Sequence, residues 1–127
     1  MILLDTHAWL WWVSDPARLG RKATNALAAS ARIGIPAISC FEVAAAVRRG
    51  RIVLDRDVDA WLDAALSLPK AELLPLTPRV AVRVAALEGF HGDPADRLIV
   101  ATAIVEACAI VTRDRHIRRY KGVLSVW

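Results

Sequence analysis

At 127 residues the chain is long enough to bury a substantial core and short for two domains, so a single domain spanning 1–127 is expected. It offers no charge-free apolar run of roughly 18 residues and no basic stretch ahead of its apolar start, which argues against a membrane span or a signal peptide and for a cytoplasmic protein. The net charge of +4 and pI near 9.7 suit a polyanionic partner, or a plain solvated face, while 56% hydrophobic residues and a mean hydropathy of +0.37 exceed what one small core readily hides and point to a protein partner or dimer seam.

Met1 to Leu4 is an apolar run fit for a buried strand, and it stops on a carboxylate and a hydroxyl, Asp5 and Thr6. His7 to Val13 then reads as a short helix apolar over nearly its whole circumference, closed by the Asp15-Pro16 turn. Gly20 to Ala31 follows as an alanine-rich helix with Ala23, Leu27 and Ala31 on one stripe. Ile33 to Ile38, interrupted by Gly34 and Pro36, has the character of a weak edge strand. Ser39 and Glu42 have capping-box spacing at the start of a helix over Cys40 to Arg49, and Gly50 stops it. Asp57 to Leu66 forms a helix with Val58, Trp61, Leu62 and Ala65 inward and Asp59 and Asp63 in water. Glu72 to Leu76 is a third strand, and Pro78 to Leu87 a helix with proline in its first turn. Asp93-Pro94-Ala95-Asp96 repeats helix-start chemistry before a mostly apolar helix ending near Ala107. Ala109 to Thr112, Asp114 to Arg119 and Val123 to Val126 read as strand, basic helix and strand. Cys40 and Cys108, isolated among apolar neighbours, are expected as small core residues.

Strands alternating with helices predict an α/β protein: a single-domain α/β/α sandwich with a short, mainly parallel sheet of four to five strands. In such a sheet, residues just past the strands converge on one crevice. Asp5, Glu42, Asp96 and Asp114 all satisfy that rule. Each also has a plainer reading in a helix cap or dipole, least readily Asp5, while Asp93 is the better cap and Asp96 the better inward ligand. Four acids gathered together need a compensating cation, and all-oxygen ligation favours Mg²⁺ or Mn²⁺. Thr6, Ser39 and Thr112 stand beside the same strand ends as supporting hydroxyls or local caps. A metal site beside basic residues fits phosphodiester hydrolysis, with Arg48, Arg49, Arg51, Arg113 and Arg115 as the nucleic-acid track.

Leu3-Leu4-Asp5-Thr6-His7, Ser39 through Glu42, Asp93 through Ala101 and Ile110 through Asp114 together resemble successive motifs of PIN-domain nucleases, most nearly the VapC-type toxins of bacterial toxin–antitoxin pairs. The resemblance covers almost the whole chain. It implies a Mg²⁺-dependent endoribonuclease acting on RNA, with its acids at Asp5, Glu42, Asp96 and Asp114, a homodimer, and a protein antitoxin that blocks the site. Two alternatives stand beside it: an RNA-maturation nuclease of the same fold, and a non-catalytic RNA- or protein-binding α/β module whose acids only cap helices.

Overall fold

A computed structural model describes residues 1–127. Strand β1 is Ile2–Leu4, followed by helix α1, Thr6–Ser14, a 3-10 turn at Pro16–Arg18 and α2, Arg21–Ala29. Strand β2, Ile33–Pro36, leads directly into α3, Ala37–Arg48, and then α4, Val58–Leu66, and β3, Ala71–Leu74. The second half holds α5, Pro78–Ala85, α6, Pro94–Val105, β4, Ile110–Val111, α7, Arg115–Arg119, and β5, Ser125–Val126. The five strands lie in the order β3-β2-β1-β4-β5 and every pairing is parallel.

All three residues of β1 are buried because this strand is central and covered on both faces, the usual condition of parallel strands. Alternation sends its side chains to two cores. Ile2 and Leu4 join Trp9, Leu27, Val43 and Trp61 on one face, while Leu3 joins Val80, Phe90, Ile99, Ile110 and Ile117 on the other. Five consecutive α6 residues, Ile99 to Ala103, are buried, as expected for a helix apolar on several sides. No helix is long and apolar enough to cross a membrane.

Two local expectations are corrected. Strand β2 is interior, between β1 and β3, although Gly34 and Pro36 give it an edge-like composition. Gly34 is there for closeness: a Cβ on it would stand 2.6 Å from Leu74 Cδ1, and Pro36 is the last strand residue and the N-cap of α3, where a missing N–H is harmless. Ser39 is not a helix cap. The helix already begins at Ala37, so Ser39 is its third residue, fully buried, and the capping-box role of Glu42 falls away. Cys40 and Cys108 are half-buried against the two cores, and burial raises both thiols.

Candidate acidic site at the sheet switch point

The chain leaves β1 toward β2 and β3 on one side and later returns to β4 and β5 on the other, so the strand order reverses between β1 and β4. The crevice at the carboxyl ends of those two strands is where doubly wound sheets bind ligands. Asp5 follows β1, and Thr112 and Asp114 follow β4.

Asp5 is only 7% exposed. Its Oδ1 accepts from Ala8 N at 2.8 Å, which makes it the N-cap of α1, a role with no clear helix-cap pattern to announce it. Its Oδ2 accepts from the buried Thr112 hydroxyl, and that same hydroxyl oxygen accepts from Asp114 N at 2.9 Å. Thr112 therefore ties the ends of β1 and β4 together. Burial raises the Asp5 carboxyl above its ordinary value, against the opposing pull of the Thr112 and Ala8 hydrogen bonds. Asp114 caps α7 through Ile117 N at 3.0 Å.

Glu42 stands in the second turn of α3, where it has no helix end to serve. Its Oε1 accepts from Thr6 Oγ1, which also shares a 3.0 Å hydrogen bond with the buried Ser39 Oγ. All three predicted supporting hydroxyls thus bond to acids or to one another. Asp93 caps α6 through Asp96 N at 2.8 Å, leaving the Asp96 carboxylate with no hydrogen-bond partner. That carboxyl is pushed up to about 7, first by burial and then by the charges of Asp93, Asp114, Glu42 and Asp5. The four predicted acids therefore share one electrostatic neighbourhood. Neither ion pair of the fold, Arg32–Glu72 or Arg56–Asp55, touches it. As the side chains stand, no three acids, histidines or cysteines close around a single point.

Arginine 97, unremarked in the sequence, straps the preceding loop to α6. Its Nη1 donates to Phe90 O at 2.6 Å and its Nη2 to Val84 O at 3.0 Å and Leu87 O at 3.3 Å. Gly92 lets that loop pass, because a Cβ there would lie 3.0 Å from Asp96 Cβ. Two clefts flank the acids. One of about 820 Å³ is lined by Asp5, Asp114, Arg113 and Arg115, and also by Arg18, Trp11 and His116, which sequence reasoning did not place. The other, about 490 Å³, is lined by Glu42, Thr6, Asp93, Arg49 and Arg51. Arg48 is exposed but lines neither.

Residues 2–123 match the PIN domain family. Ribonuclease VapC22 of Mycobacterium tuberculosis is 39% identical over 129 aligned positions, covering 99% of this chain and 98% of that protein. Among solved structures, VapBC2 from Rickettsia felis, bound to a DNA fragment from its promoter, superposes with a TM-score of 0.73 at 21% identity, over 98% of this chain and 97% of that one. DNA-bound VapBC from Salmonella typhimurium gives 0.71 at 17% identity, over 98% and 95%. At those identities the structural likeness carries the fold.

Proposed function

Since the chain belongs to the PIN domain family, we propose that it is a divalent-metal-dependent endoribonuclease, the cytoplasmic toxin of a toxin–antitoxin pair, working through Asp5, Glu42, Asp96 and Asp114. The observation that carries this reading is Asp96. It is a half-buried carboxyl without a hydrogen-bond partner, facing four other acids and no cation, and its ionisation is suppressed to about 7. An arrangement that unfavourable, at a sheet switch point, fits an all-oxygen site for Mg²⁺, or Mn²⁺ in its place.

Asp5, Glu42, Asp96 and Asp114 would hold the ion, which when bound activates water and stabilises the charge that develops on the RNA backbone. The chain's own residues prepare for it. Thr112 and the Ala8 amide fix both oxygens of Asp5, so its carboxylate does not need to be ordered on binding. Thr6 steers Glu42 in the same way. Asp96 is the member left free by hydrogen bonding, and near neutral pH it holds a proton that ligation displaces. Arg49, Arg51, Arg113 and Arg115 border the two clefts and receive the phosphates on either side. A protein antitoxin covering this crevice, and a homodimer, complete the proposal. Apolar side chains left in water, among them Phe41 at 64% exposed and Leu76 at 58%, supply area for such interfaces.

The test is cleavage of total RNA with Mg²⁺ by the wild type, Asp5→Asn and Asp96→Asn, each repeated in EDTA. Each substitution is expected to slow cleavage at least about 10²-fold, the scale of a lost electrostatic group. Undiminished cleavage by either variant, or in EDTA, overturns the assignment. Growth arrest on expressing the chain alone, relieved by co-expressing its protein partner, tests the toxin role.

A further inference from the structure

The larger cleft contains an arrangement that none of the acids explains. Trp11 projects from α1 on the side opposite the buried Trp9, half-buried in the cleft wall, and two guanidinium groups rest against its ring: Arg18 at 4.7 Å from the centroid and Arg113 at 5.2 Å. They come from different places, the 3-10 turn after α1 and the loop after β4. The ring is itself fixed, with the Trp127 ring in edge contact at 5.6 Å and His7 at 5.8 Å. Gly20 makes that possible, since a Cβ there would stand 2.9 Å from Trp127 Cδ1.

Neither guanidinium makes an ion pair or a hydrogen bond within the fold. An aromatic face attracts a guanidinium through its quadrupole and occupies none of its N–H donors, whereas a carboxylate partner would occupy two. Here, then, are two like charges held side by side with their donors free, in the same cleft as Asp5 and Asp114. Such a pair repels itself unless an anion lies between.

Resting on the ribonuclease reading, we propose that Trp11 is a positioning residue that presents Arg18 and Arg113 as a paired grip for an RNA backbone phosphate next to the one that is cut. RNA enters along the α1–α7 cleft, and the grip sets its register on the acids. Because the contact is to phosphate, it is indifferent to base identity.

The test is binding of a short fluorescein-labelled single-stranded RNA by anisotropy across a salt series, in the Asp96→Asn chain with Mg²⁺ present. Arg18→Met and Arg113→Met should each shallow the dependence of log affinity on log salt by about 0.7, one phosphate contact on a single strand. Trp11→Leu, which removes no charge, should lower the slope toward that of the double arginine variant, and Trp11→Phe should recover most of it. Adding Trp11→Leu to the double variant should change the slope no further. Wild-type slopes in either arginine variant, or in Trp11→Leu, overturn the grip. If Trp11→Leu does not fold, the arginine variants and Trp11→Phe still decide. Cleavage by the wild type, scored in parallel, judges the ribonuclease reading separately: RNA cut normally with unchanged slopes removes the grip alone.

Discussion

Thr112 concentrates more of the site's order in one side chain than any of the acids does. Its hydroxyl gives its proton to Asp5 and takes one from the Asp114 amide, and it is fully buried. Thr112→Val keeps the shape and removes both bonds, leaving a buried carboxylate oxygen without a donor, so a loss of about 1–3 kcal/mol is expected in urea denaturation. The Asp5 carboxyl climbs further, since that hydrogen bond is what chiefly lowers it. Cleavage should fall about 10–100-fold, as when a group orienting a metal ligand is lost, and Thr112→Ser should restore most of it. Asp96 gives a prediction of opposite sign. Its folded value of about 7 lies above the ordinary 3.8, so the metal-free fold holds that proton more tightly than the unfolded chain does. The resulting stabilisation is complete below 3.8 and lost as pH rises through about 7. Metal-free Asp96→Asn should therefore melt higher than the wild type above neutrality, with the gap shrinking toward acid. A gap independent of pH would show that folding leaves the Asp96 carboxyl at its ordinary value.

Helix starts do double duty in this fold, and that explains what could be read from the sequence and what could not. Asp93, Pro94 and Asp96 carry an N-terminal signature strong enough to place both the cap and the inward acid, and the structure has them so. Asp93→Ala should cost about 1 kcal/mol by loss of the cap. Asp93→Asn should cost little, but like Asp93→Ala it withdraws the charge that most raises Asp96 after burial, so NMR should find the Asp96 titration moved down in both variants. Strand β1 and Asp5 were legible because a buried run ending on an acid is a simple pattern. Ser39 and Glu42 misled in their local role because the S-x-x-E spacing also occurs inside a helix that has already begun, here directly at the end of β2. Only Thr6, at the start of another element, shows where the Glu42 carboxylate is held. The interior place of β2 was hidden for a similar reason: Gly34 answers to Leu74 across the sheet, and no local window contains both. Ala107 ends the α6 region with φ of 51°, a turn that usually calls for glycine, so nothing in its identity marks the boundary.

At the scale of the whole molecule, the acids form a store of unfavourable charge that a bound cation would relieve. Anything that binds the folded form and not the unfolded one raises its stability, so Mg²⁺ should raise the melting temperature in a concentration-dependent way. The rise should be larger above pH 7 than below it, because ligation displaces the Asp96 proton, and much smaller in Asp96→Asn. The fold class and nearly all the elements were legible beforehand, since parallel βαβ alternation is written in periodicity. The two clefts were not, because Arg18, Trp11 and Arg113 meet only after α1 and β4 are brought together.

That same juncture governs the order in which the protein can come into being. Leu3 pairs with Ile110, and Asp5 with Thr112 across a separation of 107 residues, so β1 takes one of its two neighbours from a segment far along the chain. Contacts so distant in sequence form slowly, and until they do β1 has one open edge and Asp5 lacks its threonine. Assembly of the acids is therefore coupled to completion of the sheet.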